Sequence, residues 1–335
     1  MRVLITGGTG FIGFHSALAL MDAGHDVRLL VRSEEKMLGL YGNAIDDFVV
    51  GDVTDEASVV KALEGCDGLI HAAAMVSIDK RDAQRVYDTN VGGTRLVVGN
   101  AVRMGLSHII HVSSVTALFD AKAKVLTGDS PPGTADSPYG RSKVESELYV
   151  RQLQGEGAPV HITYPASVIG PDDPTLTEPH QGLKVYLAGI ALVMPSGNQW
   201  VDVRDVAAAH LTLLESSLPP GRYTLGGHYL PWGTLIDTLN KLTGRRAIKL
   251  PVLGATIRVT GRIVDVINSA LETPLETPVT HEAAIYATRW VPMDNSKTVA
   301  DLGIEFRPVE ETFTDAIRGL VNAGHVTRKA AGKLV

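Results

Sequence analysis

Short apolar runs alternate with helix-length segments through the first half of the chain. The apolar runs occupy residues 2–5, 26–31, 46–50, 68–71, 108–112 and 160–164. Runs of this length, separated by segments long enough for crossover helices, are typical of buried parallel strands. The pattern therefore predicts an α/β fold built on a doubly wound parallel sheet.

The pattern changes at about residue 170, where prolines become frequent and separate helical pieces follow at 235–242 and 255–269. We therefore expect a larger and a smaller domain. The expected division is a parallel-sheet domain over 1–170 with a returning segment near 198–225, a smaller lobe over 171–197 and 226–325, and a frayed tail over 326–335.

Composition limits the possible partners and compartments. The chain has 335 residues, 31 Lys+Arg, 37 Asp+Glu and a formal charge of -6, without the dense basic run that nucleic-acid binding requires. Its single cysteine, Cys66, suits a reducing compartment, and no Cys/His cluster has metal-ligand spacing. Met1 is followed directly by an apolar strand, so we expect no leader and a cytoplasmic protein. The apolar stretch 183–194 is too short to span a membrane and is expected to be a core helix.

A glycine-rich turn follows the first apolar run and precedes a helix predicted over 14–23. Gly7, Gly10 and Gly13 stand at the G-x-x-G-x-x-G spacing, and Gly8 gives the overlapping G-x-G-x-x-G spacing. Such a turn lets the backbone approach a pyrophosphate, which then lies at the helix N-terminus. We predict a Rossmann-type dinucleotide site that includes Gly7, Gly10, Phe11, Ile12 and Gly13.

The residues after the next strands indicate which dinucleotide binds. Arg32 stands where an NAD site usually has a carboxylate for the ribose 2′-hydroxyl, and Lys36 adds charge. A guanidinium suits a 2′-phosphate, so NADP is favoured over NAD, although a solvated surface arginine is the alternative. Further cofactor contacts are expected from Asp52, Val53, Ala72, Ala73 and Ala74.

Candidate catalytic residues lie in the segment 137–143. Ser137 fits a helix N-cap and Pro138 the first helical position, which places Tyr139 and Lys143 one turn apart on one face. A tyrosine with its ordinary pKa of about 10 is a poor proton shuttle at neutral pH. We expect the Lys143 ammonium and the helix dipole to lower the pKa of Tyr139.

A serine pair ends the fifth apolar run, at the sheet edge where ligands bind in open α/β folds. A hydroxyl there can donate to a carbonyl oxygen that gains charge during reduction. Ser114 is the candidate and Ser113 the reserve, and strand-end capping is the alternative role for both.

Taken together, these motifs resemble the extended short-chain dehydrogenase/reductases over nearly the whole chain. The resemblance rests on the glycine loop, segments 51–53, 71–74 and 90–94, the Ser113–Ser114 pair, and Tyr139 with Lys143. It implies that Tyr139 acts as general acid in reduction and that Ser114 orients the carbonyl. It also implies that Lys143 holds the nicotinamide ribose and lowers the tyrosine pKa, while Asn90 helps to order the region.

The second half is similar to the dihydroflavonol reductase, cinnamoyl-CoA reductase and 3β-hydroxysteroid dehydrogenase branch. Segment 165–171 resembles the branch's stretch beside the nicotinamide, which implies cofactor contacts from Pro165 and Val168. Dehydratases of the superfamily commonly have acidic residues after the catalytic serine or threonine, but this chain has Val115 and Thr116. Dehydration is therefore disfavoured.

The resulting hypothesis is an NADP-dependent oxidoreductase that reduces an aldehyde, ketone or acyl-thioester, or oxidises the alcohol. A nucleotide-sugar 4-epimerase with retained NAD is the second hypothesis, and a non-catalytic NADP-binding regulatory protein is the third. The expected partner is a partly apolar small molecule, and the expected state is a monomer or homodimer, with neither nucleic acid nor a membrane span.

Overall fold

The computed structural model describes residues 1–77, 79–270 and 281–335. Its strands are β1 (Arg2–Thr6), β2 (Asp26–Val31), β3 (Phe48–Val50), β4 (Gly68–His71), β5 (His108–Val112), β6 (Val160–Pro165), β7 (Ser167–Ile169), β8 (Ile190–Val193), β9 (Gly197–Asp202), β10 (Arg222–Leu225), β11 (His228–Pro231) and β12 (Ile248–Pro251). Its α-helices are α1 (Phe11–Asp22), α2 (Glu34–Tyr41), α3 (Glu56–Leu63), α4 (Ala83–Tyr87), α5 (Gly93–Arg103), α6 (Pro138–Gly155), α7 (Glu178–Leu187), α8 (Val203–Glu215), α9 (Trp232–Thr243), α10 (Gly254–Ala270), α11 (His281–Thr288), α12 (Ser296–Leu302), α13 (Val309–Asn322) and α14 (Arg328–Ala331).

The main sheet has seven strands in the order β10-β6-β5-β4-β1-β2-β3, and every neighbouring pair is parallel. Helices α1 and α8 cover one face of this sheet, and α3, α5 and α6 cover the other. The predicted doubly wound parallel sheet is thus confirmed. Because all its strands run the same way, the loops after β1, β2, β4 and β5 meet at one edge.

A second apolar core lies outside this sheet. Trp200 on β9 packs edge-on against Trp232 of α9 and Phe313 of α13. Two small sheets, β11-β9-β7 and β12-β8, accompany this core. None of the helices within the described ranges is long and apolar enough to cross a membrane.

Two sequence expectations were wrong. The stretch 183–194 is not one core helix, because α7 ends at Leu187 and Ile190–Val193 forms β8. Gly189, at φ +108°, breaks the helix in a conformation that other residues rarely adopt. The tail does not fray either, since α14 packs into the second core and Ala331 is buried. Its small apolar residues supply that contact despite the basic composition.

Candidate active site

The glycine loop is shaped by backbone contacts with the segment after β4. Gly7 has φ +75°, and its carbonyl accepts from the Gly10 amide at 2.9 Å. A Cβ on Gly7 would lie 2.6 Å from the amide nitrogen of Ala73, and a Cβ on Gly13 would collide with the Gly7 backbone. The backbone of Ala72 and Ala73 therefore packs directly against the loop at Gly7. Only glycine fits at Gly7 and Gly13 without moving the main chain.

Helix α1 begins at Phe11 and leaves its first amides, including those of Ile12 and Gly13, without a capping side chain. Its first turn also holds no acidic residue. The first amides of a helix lack intrahelical acceptors and carry partial positive charge. A glycine cradle followed by uncapped amides fits a dinucleotide pyrophosphate.

Arg32 directly follows β2, and Lys36 lies in the first turn of α2; both side chains are exposed. Neither side chain forms an ion pair within the described part of the chain, and Lys36 contacts Ser33 through its backbone amide, which donates to the Ser33 hydroxyl at 3.1 Å. By contrast, the carboxylate of Asp52 already accepts from the amide and hydroxyl of Thr54, at 2.9 and 2.8 Å. Both cations are thus available to a ligand.

The remaining predicted cofactor residues occupy the same region of the fold. Val53 is buried after β3, where its side chain faces Gly93. Ala74 is exposed after β4. Pro165 ends β6 beside Leu225, and Val168 is buried in the middle of β7.

Helix α6 presents the predicted catalytic pair as the sequence indicated. Ser137 is the N-cap, with its hydroxyl accepting from the Gly140 amide at 3.0 Å, and Pro138 is the first helical residue. Tyr139 hydrogen-bonds to Ser114, which lies at the end of β5. The Ser113 hydroxyl instead donates to buried Glu147 at 2.7 Å, which leaves Ser114 as the serine that faces Tyr139.

The pKa of Tyr139 is raised, whereas the sequence led us to expect a lowered one. Burial raises the pKa of Tyr139 to about 12, and the hydrogen bond from Ser114 only partly opposes this. Burial also lowers the pKa of Lys143 to about 8. The Lys143 Nζ lies 5.9 Å from the centre of the Tyr139 ring and donates to the Val112 carbonyl at 3.4 Å. Desolvation is therefore the largest influence on the pKa of Tyr139, and the hydrogen bond from Ser114 is the effect that opposes it.

Asn90 links α6 to the segment after β4. Its Oδ1 accepts from the Met75 amide at 2.7 Å, and its Nδ2 donates to the Met75 carbonyl and the Ser142 hydroxyl, at 2.9 and 2.8 Å. Asn90 lies in a π-helical turn, Asp88–Gly92, and its own carbonyl accepts from Ser146 at 3.0 Å. These contacts support the expectation that Asn90 orders the region.

Glu282 on α11 was missed by sequence reasoning. Its carboxylate accepts from the Ser137 amide at 2.6 Å, the Ser137 hydroxyl at 2.8 Å and the Asp136 amide at 3.2 Å. Tyr286, one turn later, hydrogen-bonds to both Glu282 and Thr116. A carboxylate at a helix N-terminus is electrostatically favourable. Glu282 is separated from Ser137 by 145 residues, so no local pattern indicated the contact.

Glu178, the first residue of α7, is a second missed group. Its charge contributes to the raised pKa of Tyr139, which places the carboxylate within electrostatic reach of the phenol. Desolvation raises the pKa of Glu178 itself, although its side chain remains exposed.

Comparison with known proteins gives one consistent assignment. The family model described as "NAD dependent epimerase/dehydratase family" matches residues 3–226. A putative dihydroflavonol 4-reductase of Synechocystis sp. is 29% identical over 339 residues, covering 96% of this chain and 95% of the relative. Sterol demethylase protein B of Methylococcus capsulatus is 31% identical over 264 residues, covering 75% of this chain and 77% of the relative. The crystal structure of gox2253 superposes with a TM-score of 0.81 at 26% identity, covering 97% and 99% of the two chains.

The matched region is more than half of the chain and contains the glycine loop, Ser114, Tyr139 and Lys143. Members of this family bind a nicotinamide cofactor and act on small molecules. The resemblance to the short-chain dehydrogenase/reductases is thus confirmed, as is the assignment to an enzyme class. The chain belongs to the NAD-dependent epimerase/dehydratase family and is an NAD(P)-dependent enzyme of the short-chain dehydrogenase/reductase type.

Proposed function

We propose that this protein is an NADP-dependent oxidoreductase that reduces the carbonyl of a partly apolar aldehyde, ketone or acyl-thioester. The observation that carries the proposal is the hydrogen bond between Ser114 and Tyr139, with the Lys143 side chain behind the phenol. Two hydroxyl groups that meet at one point can both contact a single carbonyl oxygen. This is the arrangement that carbonyl reduction requires.

Tyr139 would donate the proton. With its pKa raised to about 12, the phenol keeps its proton at neutral pH and is ready to act as an acid. Ser114 would donate to the same carbonyl oxygen and orient it as negative charge develops there. Lys143, with a pKa of about 8, remains mostly cationic at neutral pH and would stabilise the phenolate left after transfer.

The cofactor would occupy the edge of the sheet where the loops after β1, β2 and β4 meet. The residues proposed to hold it are Gly7, Gly10, Phe11, Ile12, Gly13, Arg32, Lys36, Asp52, Val53, Ala72, Ala73, Ala74, Tyr139, Lys143, Pro165 and Val168. When bound, NADPH supplies the hydride that the protein itself cannot provide. The uncapped amides of α1 support a pyrophosphate at the start of this path.

Arg32 supports NADP over NAD, because its exposed guanidinium has no ion-pair partner in the described ranges. We expect Arg32→Asp to lower the preference for NADPH over NADH by about 10- to 100-fold, since hydrogen bonds to charged groups contribute about 1.5–3 kcal/mol. Dissociation constants for both cofactors would measure this, with Arg328→Asp, a charge reversal at an exposed arginine of α14, as the control. An unchanged ratio would refute the role of Arg32.

The names of the relatives support a substrate with an apolar framework, since one is called a dihydroflavonol 4-reductase and another a sterol demethylase protein. A panel of hydrophobic ketones, aldehydes and acyl-thioesters, assayed by NADPH oxidation, tests this. Tyr139→Phe is the matched variant and should abolish turnover while NADPH binding persists. Tightly retained NAD and interconversion of sugar nucleotides without net oxidation would instead identify an epimerase.

A further inference from the structure

The segment 241–264 carries a charge opposite to that of the whole chain. It contains six basic and no acidic residues, in a protein whose formal charge is -6. The segment covers the end of α9, β12 and most of α10. Lys241 and Arg246 are exposed and have neither ion-pair nor hydrogen-bond partners among the described residues. Their charges are therefore available to something outside the chain.

These cations gather in one place rather than being dispersed. A shallow open groove beside α9 and β12 is lined by Lys241, Arg245, Arg246, Lys249, Lys333 and a single carboxylate, Asp237. Arg245 is fixed by donating to the carbonyls of Leu187 and Ala330, at 2.7 and 2.8 Å. Lys249 pairs with Asp237 at 2.6 Å, so the other cations remain uncompensated within the groove.

Large apolar side chains are exposed along the same segment. Ile248 and Leu250 alternate on β12 and therefore share one face, with Ile248 63% exposed. Leu253, 76% exposed, connects β12 to α10. Val259 and Ile263 follow one turn apart on α10, and both are more than half exposed. A strand face, its connection and a helix stripe thus present apolar groups on the same segment of the chain as the basic groove.

The adjacent side of α10 is attached to α11. Arg258 donates to the Thr288 hydroxyl at 2.8 Å, and Arg262 donates to the His281 ring at 3.2 Å. The Asp265 carboxylate accepts from the His281 amide at 3.1 Å. The polar side of α10 therefore contacts protein, and the apolar stripe is left facing outward.

We propose that this basic apolar surface, defined by Lys241, Arg246, Ile248, Leu253 and Ile263, docks the enzyme on a membrane of anionic lipids. The apolar side chains enter the headgroup boundary while the cations contact lipid phosphates, as in helices that lie in the membrane plane. A second copy of the chain is a poorer occupant, because a two-fold interface would set the same cations against each other.

Vesicle flotation of the full chain tests the proposal. We expect binding to vesicles of phosphatidylcholine mixed with phosphatidylglycerol, little binding to phosphatidylcholine alone, and weaker binding as salt is raised. Arg246→Ser should weaken binding about fivefold, because one basic residue near an anionic surface contributes about 1 kcal/mol. Leu253→Ser should weaken it as well, whereas Leu148→Ser, at an exposed position of α6, should have no effect.

Three results would contradict membrane docking. Equal binding to neutral and anionic vesicles, or binding that Arg246→Ser and Leu253→Ser leave intact, would overturn the proposal. So would concentration-dependent dimerisation without lipid that Leu253→Ser abolishes, since the surface would then be an interface between copies. Circular dichroism and melting temperature establish that each variant is folded. The experiment measures binding to vesicles, so its result supports or refutes membrane docking independently of the proposed reaction.

Discussion

Acidification should destabilise this protein because it buries neutral histidines around the main sheet. Burial lowers the pKa of both His71 and His210 to about 3, and it lowers the pKa of His111 well below its ordinary value. His71 stacks on His111 at 5.6 Å between ring centres, so protonation of one also opposes protonation of the other. Hydroxyl groups contact both ring nitrogens of His71 and of His210.

The direction in which stability changes with pH follows from proton binding. An unfolded histidine takes up a proton as the pH falls through about 6.5, whereas His71 and His210 stay neutral in the folded state until about pH 3 and His111 stays neutral well below pH 6.5. The stability they contribute is therefore complete above pH 6.5 and is lost progressively below it. At about pH 5.5 His71 and His210 each lower the free energy of unfolding by about 1.4 kcal/mol, and the lowered pKa of His111 adds a loss of the same sign.

Urea unfolding at about pH 7.5 and about pH 5.5, at constant ionic strength, measures this loss. His111→Leu should reduce the loss because it removes one of the buried titratable rings, and neither ring nitrogen of His111 has a hydrogen-bond partner to lose within the described residues. His325→Leu, at an exposed histidine, is the matched control and should leave the loss unchanged. A loss below about 1 kcal/mol, or one that His111→Leu does not alter, would show that the buried histidines do not make the protein sensitive to acid.

Two further variants test individual contacts at the site. Glu282→Ala removes the carboxylate that accepts from Ser137, so it should cost about 1–2 kcal/mol of unfolding free energy and lower kcat while the Kd for NADPH is kept. Glu310→Ala, at an exposed glutamate in the first turn of α13, should change neither kcat nor Kd. Gly13→Ala should weaken dinucleotide binding at least tenfold by isothermal titration, because the added methyl collides with the Gly7 backbone. Tight binding by the alanine variant would contradict the close packing of the loop.

Six of the seven strands of the main sheet were predictable because they are continuous apolar runs that alternate with helices. The predicted strands correspond to β1–β6, and the boundaries differ by at most two residues at an end, as where 46–50 becomes Phe48–Val50. The caps of α6 were also predictable, since Ser137 and Pro138 specify a helix start locally.

The features of the fold and of the site that were not predicted depend on contacts between distant parts of the chain. The strands β7–β12 are short, and only pairing with partners elsewhere in the sequence makes them strands. Glu282 reaches Ser137 across 145 residues, and the raised pKa of Tyr139 results from burial that a local motif does not encode. Spacing predicted a lowered pKa for Tyr139, but burial and the charge of Glu178 raise it.

In the proposed reaction, hydride from NADPH ends on a carbonyl carbon held at Ser114 and Tyr139. Its most direct test is mass spectrometry of the product formed from a hydrophobic ketone with NADPH deuterated at the reactive nicotinamide carbon. We predict net transfer of deuterium into an alcohol product by the wild-type protein, and none by Tyr139→Phe although it still binds NADPH. Unlabelled product, or transfer that persists in Tyr139→Phe, would contradict the account.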